Sequence, residues 1–231
     1  DWKYSNLNKV KEYLSFANPG GDAAVANIEK QVAEALKELK VQENYVVLFN
    51  GVYCHGLSRP ADGVKLEAVP VREKSYLTDL NSAFLTESLV VNFESNQQYP
   101  MTILHFVGEG LSVSTRLNLA VSEHVKAQVN EVVLAVGVLN HVTDINLEVS
   151  SRIEHAVIQN SSAKGKVFHE VTCEHKEKSQ SRFFNLSVGA EWSRFDLRCF
   201  LKGSDSRSEV VGLYLARDSQ VTDHCTKIFH Q

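Results

Sequence analysis

From Leu111 to Val121 the chain alternates without a break. Leu111, Val113, Thr115, Leu117, Leu119 and Val121 hold the odd positions, and Ser112, Ser114, Arg116, Asn118, Ala120 and Ser122 hold the even ones. A period of two sends successive side chains to opposite faces of an extended strand, so this stretch has one apolar face and cannot be a helix. The same rhythm returns at Ile103 to Val107, at Val132, Leu134, Val136 and Val138, and at Ile145, Leu147 and Val149. It continues through Val167, His169, Val171 and Cys173, then Phe184, Leu186, Val188, Ala190 and Trp192. Phe195, Leu197, Cys199 and Leu201, then Val211, Leu213 and Leu215, then Val221 to His230 complete the series. No helical period interrupts Pro100 to Gln231. Strand after strand, with few hairpin glycines at the joints, admits a sandwich or a solenoid, and periodicity does not choose between them. No strict hexapeptide-type repeat is present.

The first 99 residues follow a different plan. Val10, Tyr13, Leu14 and Phe16 suggest a short amphipathic helix that stops at Asn18-Pro19-Gly20-Gly21. Asp22 is a suitable N-cap for a second helix, whose stripe is Val25, Ile28, Val32, Leu36 and Leu39. Tyr45 to Phe49 reads as a strand, and Asn50-Gly51 turns it back into an antiparallel partner. A strand near Val64 to Pro70, a helix over Ser75 to Glu87 and a strand at Leu89 to Phe93 follow.

Composition narrows the function. Hydrophobic residues are 43% and charged residues 23%, the balance of an ordinary globular chain. A net charge of −4 argues against nucleic acid as the partner. No apolar run approaches the ~18 residues of a membrane span, and no secretory signal is visible. The four cysteines, Cys54, Cys173, Cys199 and Cys225, form no C-x-x-C pair, which fits a reducing compartment better than a disulfide framework. The first residue is Asp1 and the only methionine is Met101, so the chain is expected to be a piece of a longer protein.

Nine histidines invite a search for metal ligands. Three lie near cysteines, in Cys54-His55, Cys173-Glu174-His175 and His224-Cys225, and thiolate with imidazole suits soft metals and clusters. Cys54 sits at the hairpin and Cys173 is in phase with core positions, where an isolated cysteine acts as a small hydrophobe. The candidates that remain are His224, Cys225 and His230. Neighbours on a strand point to opposite faces, so His224 and Cys225 cannot hold one ion together, whereas His224 and His230 share a face. No G-x-S-x-G, Walker A, H-E-x-x-H or G-x-G-x-x-G motif occurs, so no catalytic residue is assigned. Asp196 and Arg198, on one face of one strand, are the single hint of a β-helix carbohydrate-active enzyme. A structural or solvated pair accounts for them as well.

A resemblance resolves the choice of fold. Arg194-Phe195-Asp196-Leu197, Leu201-Lys202-Gly203, Gly212-Leu213-Tyr214 and Gln220-Val221-Thr222-Asp223-His224, closing on His230, resemble the SufD branch of the SufB/SufD family. These are scaffold subunits of iron–sulfur cluster assembly. The opening Trp2-Lys3-Tyr4-Ser5-Asn6-Leu7 is similar to the same branch, far away in sequence, as are Leu80-Asn81-Ser82-Ala83-Phe84 and Val90-Val91-Asn92-Phe93. The resemblance implies a mainly β chain. An N-terminal α/β region would cover 1–99, and an incomplete right-handed parallel β-helix 100–231, with roughly six coils at ~20 or more residues each.

It also implies a non-enzymatic scaffold acting with a SufB-like subunit and the SufC ATPase, in the cytoplasm or the plastid stroma. The SufC docking region is expected beyond Gln231. The C-x-H-G motif that the family places downstream is absent, so no cofactor or metal residue is carried over. The iron–sulfur cluster is then the product of the full complex and is not held by this chain. The alternatives are a SufB-type cluster-building subunit, a β-helix carbohydrate-active enzyme and a purely structural solenoid.

Overall fold

The computed structural model describes residues 25–61, 64–69, 81, 85 and 88–231. The expected helix near Val10 to Phe16, the Asp22 cap and the Ser75 to Glu87 helix lie outside them, apart from isolated positions. Helix α1 (Val25–Glu38) is the helix of the second stripe. It buries Ile28, Val32 and Ala35. Strands β1 (Tyr45–Phe49) and β2 (Val52–Tyr53) form the expected hairpin, with Leu48 opposite Tyr53. Asn50 and Gly51 both take positive φ, 48° and 84°, as a two-residue turn matched to strand twist demands.

The remaining strands are β3 (Val64–Val69), β4 (Ser88–Phe93), β5 (Met101–Val107), β6 (Ser112–Val121), β7 (Lys126–Ala135) and β8 (Val138–Leu147), continuing with β9 (Arg152–Ser161), β10 (Lys166–His175), β11 (Gln180–Gly189), β12 (Trp192–Leu201), β13 (Arg207–Leu215) and β14 (Val221–His230). Among the described residues they make two seven-stranded sheets. Sheet A runs β13-β11-β9-β7-β5-β1-β2, and sheet B runs β14-β12-β10-β8-β6-β4-β3. From β4 onward successive strands alternate between sheets, and same-sheet neighbours are parallel from β5 and β6 onward. This is a β-solenoid of about 5 turns, not a sandwich.

It has fewer coils than the ~20-residue estimate gave. Each coil carries two long strands and takes about 27 residues, as Ser112 beside Val138 and Arg152 beside Gln180 show. Strands β1 and β4 pair in parallel with β5 and β6, so the same two sheets extend into the N-terminal 99 residues. No helix among the described residues is long and apolar enough to cross a membrane.

The odd positions of β6 face inward as expected, with Leu117, Leu119 and Val121 fully buried. Three other strands depart from the expected phase. On β7 the inward residues are Ala127, Val129, Glu131, Val133 and Ala135, while Val132 and Leu134 point out. They are apolar because α1 covers them: Val132 joins Ile28, Val32, Val47, Leu104 and Phe106 in a second core outside sheet A. On β11 the inward residues are Ser181, Phe183, Asn185 and Ser187, and Phe184 is exposed. On β13, Val211 is in register with outward Phe184, and Gly212 with inward Asn185. Alternation reports which face is apolar, not which face is inside, and here the interior is partly polar.

The corners explain the shortage of glycine signals. His124, Ser150, Lys178 and Asp205 each carry a positive φ near 60° at successive corners of one edge. The left-handed turn that glycine usually supplies is made there by other residues.

Candidate metal centre

The polar interior is concentrated at one level of the solenoid. In sheet B, Thr115, His141, His169, Phe195 and His224 stand in one ladder column, each beside the next. In sheet A, Glu131 lies between Ile103 and Val157 in its own column. Its polar partners therefore come diagonally, from His105 on β5 and His155 on β9, and across the interior, from His141 and Thr143 on β8. All of these residues are buried, Glu131 and His141 completely.

The Glu131 carboxylate accepts four hydrogen bonds. His105 Nε2 and His141 Nε2 lie 3.0 and 2.8 Å from Oε2. His155 Nε2 and the Thr143 hydroxyl lie 2.7 and 2.9 Å from Oε1. Thr143 Oγ1 also sits 3.0 Å from His169 Nε2, and Thr115 Oγ1 2.6 Å from His141 Nδ1. The rings pack closely, with centroids 4.4 Å apart for His105 and His141 and 4.5 Å for His141 and His169.

Burial alone would push the Glu131 carboxyl up. The charge of His141 and the hydrogen bonds from His105, His141 and His155 oppose it and hold the carboxyl well below its ordinary value. Burial pushes His105 down, helped by His141 and opposed by Glu131, and it pushes His169 down further. The site is therefore an ionised carboxylate, with His105 and His169 held toward their neutral forms. His105, Glu131 and His141 each offer a ligand atom within 4.8 Å of the other two. Two imidazoles and a carboxylate form a donor set for borderline divalent metals.

Residues 105–231 match the SufBD core domain of the SUF system for iron–sulfur cluster assembly. That span is more than half of the chain and contains the whole histidine–glutamate cluster. The chain belongs to this family. The membership supports a role in iron–sulfur cluster assembly. No curated protein matches the chain significantly.

Within this SufBD core domain, the ligands expected from sequence stay apart. His224 faces inward, where its Nε2 accepts from Asn185 Nδ2 and pairs with Ser187 Oγ, both at 3.0 Å. Burial pushes it down, opposed by Asp223. Cys225 stands beside Asp196 on the outer face, as strand parity requires. His230 aligns with Leu201 on the same face as His224. At ~3.3 Å per residue the two histidines stand ~20 Å apart, too far to share an ion.

Cys173 and Cys199 are neighbours in the apolar core, and burial pushes both thiols up. His175 binds the hydroxyls of Ser179 and Ser181, each at 3.0 Å, and burial lowers it to about 4. Asp196 is held by Arg194, with two contacts of 2.9 Å, and Arg194 reaches Asp223 at 2.6 Å. Arg198 faces Glu170 at 3.3 Å. Asp196 and Arg198 therefore belong to two separate ion pairs.

Sequence reasoning missed His105, Glu131, His141, His155 and His169 because they sit apart in the chain and next to no cysteine. One signal was available. His141, His155 and His169 recur at equal intervals of half a coil, which places each on the next strand of the opposite sheet, facing in.

Proposed function

We propose that this chain is a SufD-type, non-catalytic scaffold subunit that acts with a SufB-like subunit and the SufC ATPase to build iron–sulfur clusters for apo-proteins. The observation that carries this reading, beyond family membership, is the disposition of the thiols. All four cysteines are free, and the two in the solenoid core are buried side by side among apolar residues rather than poised to hold a cluster. The Trp2-Lys3-Tyr4 opening supports the SufD branch over the SufB branch. Free thiols throughout also suit a reducing compartment, the cytoplasm or the plastid stroma.

The test is affinity purification of the natural protein from its own cells under anaerobic conditions. SufB-like and SufC subunits are expected to co-purify in defined stoichiometry. The reading fails if neither does. A stable cluster reconstituted on the isolated chain, with a charge-transfer band that survives desalting, would move the assignment to the SufB type.

A further inference from the structure

The described interior contains a buried carboxylate with no lysine or arginine among its partners. Glu131 is wholly enclosed, and its four donors are three imidazoles and a hydroxyl. A buried charge needs a countercharge or a metal. The metal-free network is also incomplete, because the Nδ1 atoms of His105, His155 and His169 are buried without a partner.

The spacing already suits an ion. Ligands at right angles about a metal with bonds of ~2.1 Å stand ~3.0 Å apart. His105 Nε2 and His141 Nε2 lie 3.0 and 2.8 Å from the same Glu131 oxygen. His141 also has a supporting partner. With Nε2 on a metal, its Nδ1–H donates to Thr115 Oγ1 at 2.6 Å, the outer contact that fixes a ligating imidazole. His155 and Thr143, on the second carboxylate oxygen, keep that oxygen aimed and ionised.

We propose that His105, Glu131 and His141 bind one divalent transition-metal ion inside the solenoid, as a mononuclear site made of nitrogen and oxygen ligands. The site is separate from any iron–sulfur cluster and uses no cysteine. It joins both sheets, from β5 and β7 on one side to β8 on the other, and so locks consecutive coils together. The ligands are enclosed, so the ion enters as the chain folds. Metal binding then adds to folding stability.

The experiment refolds the full chain in the presence of Co(II), Fe(II) or Zn(II), removes excess by gel filtration and counts retained metal. One equivalent is expected, with Co(II) ligand-field absorption and no sulfur-to-cobalt charge-transfer band. Glu131→Gln and His141→Gln should each weaken Co(II) binding at least 100-fold against a competing chelator. Cys225→Ser and His224→Asn should bind like the parent. The parent should melt at a higher temperature when refolded with Co(II) than with chelator.

Substoichiometric retention by the parent, a thiolate band, or unchanged affinity in a folded Glu131→Gln protein overturns the proposal. If neither ligand variant folds, the parent's melting shift decides, and no shift overturns it. None of these readouts depends on capture of SufB-like or SufC subunits, so a failure here leaves the scaffold reading to its own test.

Discussion

Replacing Glu131 with alanine tests whether the carboxylate organises the interior. The change removes the acceptor of four hydrogen bonds, from His105, His141, His155 and Thr143. A buried donor left without a partner costs ~1–3 kcal/mol, so four unrelieved donors would cost ~4–12 kcal/mol. Two relaxations lower that figure. The His141 imidazole can move its proton to Nδ1, beside Thr115 Oγ1, and the Thr143 hydroxyl can turn toward His169 Nε2, 3.0 Å away. Removing the carboxylate also recovers its own burial cost.

The expected loss is therefore ~3–5 kcal/mol, a large share of the 5–15 kcal/mol that folded domains possess. His155→Ala removes one donor of four and leaves Glu131 three partners, so it should cost less, ~1–3 kcal/mol. Urea unfolding of both variants and the parent, in chelator at neutral pH and followed by tryptophan fluorescence, measures the difference. A Glu131→Ala protein within ~1 kcal/mol of the parent would refute the reasoning. So would a His155→Ala protein that loses as much as Glu131→Ala.

His175 provides a pH test. Its folded value of about 4 lies below the unfolded ~6.5, so the unfolded chain takes up the proton first. Its contribution is present above pH ~6.5 and is lost as pH falls toward 4, by up to ~3 kcal/mol. His175→Gln should flatten the fall in urea midpoint across that window, and an unchanged slope would show that His175 does not titrate there. Leu117, fully buried between Leu89 and Thr143 in its ladder, should not tolerate Leu117→Asp. The variant is expected to be unfolded by circular dichroism, at a cost above ~4 kcal/mol. Gly137→Ala would drive a methyl group into the backbone oxygens of Gly108 and Leu111, one coil above. It should lower the melting point far more than Gly110→Ala, whose added methyl meets open space and strains only a φ of +74° at ~1 kcal/mol.

The β6 alternation was enough to place Leu117, Leu119 and Val121 inside, because one face of that strand is apolar and the other is not. The same logic misplaced β7 and β11. Val132 and Leu134 are apolar because α1 lies on them, and nothing local to β7 records that a helix some hundred residues earlier returns to cover it. Asn185 and Ser187 are polar yet inward because His224 meets them from the facing sheet. Strand length and helix stripe are local quantities and were legible. Which side of a strand is covered depends on chain that is distant in sequence, and so does the assembly of Glu131 with four histidines.

The solenoid accounts for that assembly. Each inward side chain has fixed neighbours above and below in its own column, so a polar residue must find its partners along the axis or across to the other sheet. Thr115, His141 and His169 meet along the axis, and Glu131, flanked by Ile103 and Val157, meets His105 and His155 diagonally in its own sheet and His141 and Thr143 across the interior. In sheet B the columns that flank the cluster are apolar at its level: Val113, Leu139 and Val167 on one side, and Leu119, Ile145 and Cys173, one column beyond Leu117, Thr143 and Val171, on the other. Water is thus kept from the cluster laterally, which strengthens each hydrogen bond within it and raises the cost of any missing one. A single polar level enclosed in this way cannot be exchanged for apolar residues one position at a time. Each partial exchange leaves a buried donor or the carboxylate itself without a partner, so the level changes as a unit or not at all.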